Sequence, residues 1–127
     1  MHIINVQSKM KVEFIDITDK VQEIVSKEKI VHGICYLFTP HTTAALTINE
    51  NADPSVKEDI TMALNKFLDS MSYKHMEGNS PAHIKSSLIG CSINIFVEKK
   101  HLVLGTWQGI FFCEFDGPRN RKVYLRL

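Results

Sequence analysis

The last third of the chain constrains the fold most. From Ser92 to Leu127 almost every segment reads as strand: Ser92–Glu98 alternates, Leu102–Leu104 returns after a turn at Glu98–His101, Trp107–Phe115 follows, and Arg121–Leu127 pairs after the turn DGPRN. Strands in such a series must cover one another or find helices to cover them. The helices precede them. Asp53 is an N-cap, Pro54 stands at the first helical position, and Val56, Ile60, Ala63, Leu64, Phe67 and Leu68 form one stripe, which predicts a helix from Pro54 to about Leu68. A shorter helix is expected at Pro81–Leu88, stopped by Gly90.

The first half adds strands and one more helix. Ile3 to Ile17 holds two strand-like runs that break near Ser8–Lys9. Thr18 and Asp19 are N-cap candidates for a helix carrying Val21, Ile24 and Val25, which the polar SKEK stretch ends. Gly33–Thr39 reads as a strand buried on both faces. After Pro40, Thr43–Asn49 reads as a second strand or a bulged extension of the first. The order predicts an α+β fold, one domain over residues 1–127, with mainly antiparallel sheet layers, two main helices and a short one.

Composition narrows the function classes. At 44% hydrophobic and 23% charged, 127 residues suit one soluble domain with a real core. A net charge of +1 argues against a dedicated nucleic-acid binder. The N-terminus lacks the apolar core of a signal peptide, and no long apolar span follows, so a cytoplasmic protein without membrane attachment is expected. Cys35, Cys91 and Cys113 sit in apolar runs without any CxxC pair. They read as buried core thiols rather than a thiolate zinc cage or redox dithiol.

Three stretches carry residues able to do chemistry. In HMEGNSPAHIKSSLIG, His75–Gly90, Ser80 is the expected N-cap and Pro81 the first helical residue. The helix start would favour an anion, and His75, Glu77 and Asn79 would converge with His83 from the loop leading in. The second, His41–Pro54, ends a strand with Asn49, Glu50, Asn51 and Asp53. Asp53 is sufficiently explained as a cap, whereas His41 is expected to be an exposed ring at a sheet edge. The third, Gly105–Arg121, joins Trp107 and Gln108 to Arg119 and Arg121. An arginine pair can clamp a phosphate or carboxylate, although spacing alone favours a solvated basic hairpin end with the tryptophan filling core.

Together these stretches resemble the YjbQ-like family, sometimes labelled secondary thiamine-phosphate synthase enzymes. The shared pattern is HTTAALTINEN followed by DP and a helix, then H-x-EGN-x-x-AHIK-x-SL-x-G, GTWQ, and E-x-DGPR-x-R. Here it occupies residues 41 to 121. The resemblance implies a compact α+β domain assembled as a homotrimer, a histidine-lined site and thiamine phosphate synthase activity. Residue by residue it singles out His41, Asn49, Glu50, His75, Glu77, Asn79, His83, Lys85, Trp107, Gln108, Arg119 and Arg121. The chain departs from the pattern in its GCSINIFVEKKHL hairpin, with Lys100 and His101 in the turn.

Two function classes follow. The first is an enzyme for a small anionic or phosphorylated metabolite, with His83, His41 and Lys85 catalytic and Asn49, Glu50, Asn79, Trp107, Gln108, Arg119 and Arg121 binding substrate. The second is a non-catalytic trimer binding a metal or anion. In either, His41, His75, His83 and Glu77 suit a divalent ion such as zinc. The implied reaction joins an aminopyrimidine diphosphate to a thiazole phosphate with loss of diphosphate. The main synthases of that reaction resemble TIM barrels of about 250 residues, so this chain is not one of them. It also has neither an aspartate-rich magnesium motif nor a glycine-rich phosphate loop.

Overall fold

The central strand of the small sheet shows how the layers stack. In a computed structural model describing residues 1–127, the strand Gln108–Glu114 is buried at every position but the first. A strand is buried on both faces only when layers cover each of them. The elements in order are β1 (His2–Gln7), β2 (Glu13–Asp16), α1 (Thr18–Lys27), β3 (Gly33–Phe38), β4 (Ala44–Glu50), α2 (Pro54–Leu68), α3 (Ser80–Ile89), β5 (Ser92–Glu98), β6 (His101–Leu102), β7 (Gln108–Glu114) and β8 (Asn120–Arg126). One sheet runs β1-β8-β3-β5-β6 and the other β2-β7-β4, with antiparallel pairing throughout. This is the expected α+β architecture.

Two apolar clusters lie on opposite faces of β7. Between the sheets, Ile4, Leu37, Leu46, Val97, Phe112 and Leu125 pack with Val21 and Val25 of α1. On the far face, Phe111, Cys113 and Phe115 meet Ala45 and Ala82, flanked by Leu64 of α2. The layer order is therefore large sheet, small sheet, then α2 and α3. The small sheet becomes a rigid floor beneath α3, which is tied down by its own Ser86, donating to Ala44 O at 2.6 Å.

Several local expectations need correction. Strand β3 is not buried on both faces: Cys35 and Leu37 point inward, while Tyr36 and Phe38 are exposed because nothing covers the outer face of the large sheet. Thr43–Asn49 is no extension of β3 but a strand of the other sheet. Cys91 is exposed, since the chain has just left α3 at Gly90 and has not yet entered β5. Helix α1 is capped from one residue earlier than expected. Ile17 is its N-cap, and the Asp16 carboxylate accepts from Thr18 N–H at 2.9 Å. The β5–β6 turn is Lys99–Lys100, both with positive φ as in primed hairpin turns, and His101 already belongs to β6. The expected bounds and cap of α2 hold, with Asp53 accepting from Ser55 N–H at 2.9 Å and Pro54 in the first turn, but Ala63 and Phe67 of its apolar stripe are exposed, off the edge of the face that packs on the small sheet. No helix is long and apolar enough to cross a membrane.

Candidate functional site

Helix α3 begins one residue before the expected start. Asn79 takes the N-cap position and Ser80 is already helical, yet the Asn79 side chain does not cap. Its amide Nδ2 instead donates to Asp116 Oδ2 at 3.0 Å, because the corner after β7 passes directly over the helix start. That corner is held on its other side too, where Arg119 donates through Nε to Asp116 O at 2.8 Å and through a second nitrogen to Asp116 Oδ2 at 3.1 Å. Burial would raise the Asp116 carboxyl, but the bonds from Asn79 and Arg119 and the arginine charge outweigh it and hold the group below the usual carboxylate range.

The predicted convergence around His83 is partly realised. His75 and His83 meet edge to face, with ring centroids 5.6 Å apart, and Glu77 Oε2 stands 3.9 Å from His75 Nε2. Two residues further along α3, about half a helical turn, Lys85 points the other way, into the protein. Only 3% of its side chain is exposed, and Nζ donates to Asn65 Oδ1 at 2.5 Å and Asp69 Oδ1 at 3.1 Å. Between these elements and the loop of residues 10–12 opens a cavity of about 440 Å³, lined by Asn79, Lys85, Asp69, Asp116 and Phe115 among others.

His41 and Arg121 belong to a different, buried arrangement. Arg121 grips Glu114 through Nε and a terminal nitrogen and reaches Thr43 Oγ1 at 2.8 Å, and Ser8 Oγ donates to Glu114 Oε1 at 2.5 Å. The Arg121 side chain is 5% exposed and that of Glu114 fully buried. Arg121 therefore is not part of a solvated hairpin end, and its donors are spent inside the protein. Beside this pair, His41 is half-buried rather than exposed, and its Nε2 accepts the Lys122 N–H at 3.0 Å. Burial and the Arg121 charge lower its pKa, keeping the ring neutral with its proton on Nδ1.

Asn49, Glu50, Trp107 and Gln108 form a third group, around a shallow hollow of about 380 Å³. Trp107 is 64% exposed, so it does not fill core. In the β4–β7 ladder Glu50 pairs with Gln108, whereas Ala44 pairs with Glu114. Six strand residues separate the two ends, roughly 20 Å at the usual rise per residue. Within one chain, therefore, no small molecule spans Trp107 and the Glu114 corner.

The metal-ligand set read from the sequence, His41, His75, His83 and Glu77, is not brought together within one chain. No three His, Cys, Asp or Glu side chains of one chain gather closely enough to hold an ion. His41 Nε2 is engaged by a backbone amide, and His75, His83 and Glu77 form an incomplete shell. The residues of one chain do not by themselves fit the ion.

Sequence reasoning missed the partners of its own candidates. Asn65 in the last turn of α2 and Asp69, four residues on at its C-cap, hold Lys85, and Asp116 holds Asn79. Glu114 carried a usable signal. A lone acid within the apolar run GIFFCEF is either misplaced or paired.

Comparison with known proteins agrees with this layout. The family described as UPF0047 protein YjbQ-like matches residues 2–127. The chain belongs to that family. It is 49% identical to a UPF0047 protein of Methanocaldococcus jannaschii, over 96% of this chain and 89% of that one. It is 48% identical to YugU of Bacillus subtilis, over 91% and 89% of the two chains. A crystal structure of a YjbQ/UPF0047 family protein from Clostridium acetobutylicum superposes with a TM-score of 0.96 at 49% identity, covering 99% of this chain and 98% of that one. The α3 corner, the Glu114–Arg121 pair and the Trp107 hollow thus stand on a fold that family members share.

Proposed function

We propose that the protein is an enzyme acting on a small metabolite at the α3 corner, with His83 and His75 as the proton-transferring pair and Lys85 as a fixed positive charge beside the bound molecule. The contact of the two imidazoles, on the loop before α3 and in its first turns, carries this reading, and the buried ammonium of Lys85 lies on the other side of the same helix, in the wall of the cavity. Imidazole is suited to moving protons near neutral pH, and a second ring against it can share or relay the charge that develops. Lys11 and Lys85 are the cations of that cavity's wall, and Arg119 stands behind it, paired with Asp116.

Thiamine phosphate synthesis, the reaction that the family resemblance implies, is the first to assay. Purified protein from a host lacking its own synthase is supplied with the aminopyrimidine diphosphate and the thiazole phosphate. His83→Ala should lower turnover by about 100-fold or more if the ring transfers a proton, since such groups contribute that much or more. Unchanged turnover in His83→Ala would mean that the ring has no such role and that a contaminant does the work.

The approach of Glu77 to His75 beside His83 favours a second reading, a metal-holding protein without turnover. Water or a second copy would have to complete the shell. Equilibrium dialysis against zinc should then show binding that His75→Ala and His83→Ala each abolish.

We also propose that the chain works in the cytoplasm as a homotrimer. Assembly is supported by the exposed Tyr36, Phe38 and Phe96 on the outer face of the large sheet, which a second copy would cover. Light scattering should return the mass of three chains. A monomer mass at micromolar concentration would refute it.

A further inference from the structure

The cavity beside α3 has a charge pattern that selects its occupant. Lys85 is sealed in its wall, and its ammonium has three N–H donors, of which Asn65 and Asp69 take two. One donor remains. Asp116 is similarly half used: Oδ2 accepts from both Asn79 and Arg119, while Oδ1 accepts from no group of the protein. Apolar surface from Phe115, Ala82 and Val12 lies in the same cavity.

Counting the charged groups in the wall gives Lys11 and Lys85 against Asp69 and Asp116, so the two signs balance. A phosphate monoester entering here would meet two carboxylates, and a simple cation would meet two lysines. Like charges brought together in this way disfavour either ligand. A neutral polyol meets no repulsion but forgoes charge-assisted bonds, which are roughly twice as strong as neutral ones. A molecule with one group of each sign takes up the spare Lys85 donor with its negative group, and the spare Asp116 Oδ1 beside the buried, unpartnered Asn79 Oδ1 with its positive group.

We infer that this cavity binds a small zwitterion, an amino-acid-like molecule whose carboxylate accepts from Lys85 and whose ammonium donates to Asp116. The inference shares with the proposed function only the choice of the α3 corner as a ligand site. Binding is read without turnover, so a failure here and a failure of the enzymatic reading are told apart.

The test is calorimetric titration of the full chain with L-alanine, L-serine and L-threonine, beside propylamine, propionate, glycerol and inorganic phosphate. At least one of the amino acids should bind with a Kd below about 1 mM, and each of the other probes at least about tenfold more weakly, a difference of about 1.4 kcal/mol. Lys85→Met and Asp116→Asn should each weaken that binding tenfold or more by the loss of one charge-assisted bond. Both substitutions touch structural contacts, so Val12→Phe, which fills the cavity without altering a charge, provides a separate check and should abolish binding. The inference is overturned if none of the three amino acids binds, if glycerol or phosphate binds as tightly, or if binding survives in the folded variants.

Discussion

Arg121→Ala should destabilise the protein by about 3–5 kcal/mol, the cost of leaving a buried charge without its partner. Glu114 is fully buried, and the guanidinium provides its only counter-charge within hydrogen-bonding distance. Removing the arginine also strands Thr43, whose hydroxyl accepts from it, in the turn that follows His41 and leads into β4. The loss should depend on pH in a definite direction. In the intact protein, burial would raise the Glu114 carboxyl, but the bonds from Arg121, Ser8 and the Asp116 N–H and the arginine charge hold it below its ordinary value of 4.5. A carboxylate depressed in this way contributes stability above its unfolded pKa and loses it as the pH falls through the folded one. Without Arg121, burial dominates and the carboxyl is raised, so the variant folds with Glu114 protonated more easily in acid. Denaturant unfolding of both proteins at pH 7 and pH 4 checks this. The deficit should be larger at pH 7, and equal deficits would mean that the pair's charge is not what stabilises the corner.

Gly117→Ala should cost about 3 kcal/mol, at the upper end of the overpacking range, because the added methyl has nowhere to go. A Cβ at this position would lie 2.3 Å from Met10 O, 2.7 Å from Ser8 Oγ and 2.8 Å from Glu114 Cγ. The nearest of these is backbone, and it belongs to the loop that the same residue fastens by donating Gly117 N–H to Lys11 O at 3.0 Å. Relief would require moving residues 8–11 away, which would take Ser8 from Glu114 and open the wall of the cavity at Met10 and Lys11. Thermal unfolding should show a lower midpoint, and ligand binding at the α3 corner should weaken with it. Wild-type stability in Gly117→Ala would show that the loop yields freely. As a control, Gly78→Ala should be milder: Gly78 has a positive φ of 73°, but no atom lies within 4 Å of an added Cβ.

Much of the architecture follows from local chemistry that any reader of the chain can inspect. The Asp53–Pro54 start of α2, the Gly90 stop of α3 and the alternation of β5 are decided by groups a few residues apart. Capping, fixed proline φ and the two-residue period of a strand all act over that range. The same locality explains the misses. Whether β3 is covered on one face or two depends on which layer arrives above it, and the motif contains no information on that.

The candidate site divides along the same line. The order of residues alone set which types were available: a histidine and a glutamate before α3, a histidine and a lysine within it, and an arginine pair after a glycine–proline turn. It also determined the family, since the motifs that resemble it run through nearly all of the later chain. How those residues are used depends on the way the layers pack. That packing turns Lys85 inward onto Asn65 and Asp69, spends Arg121 on Glu114, sets His75 against His83, and carries Trp107 to the opposite end of the small sheet from Glu114. These partners lie 16 to 20 residues apart for Lys85, stand on strands of different sheets for Arg121 and Glu114, and join a loop to a helix for His75 and His83. Their pairing is set by the stacking of α2 and α3 on a sheet whose middle strand is closed on both faces, and that closure is a property of the assembled layers rather than of any one segment.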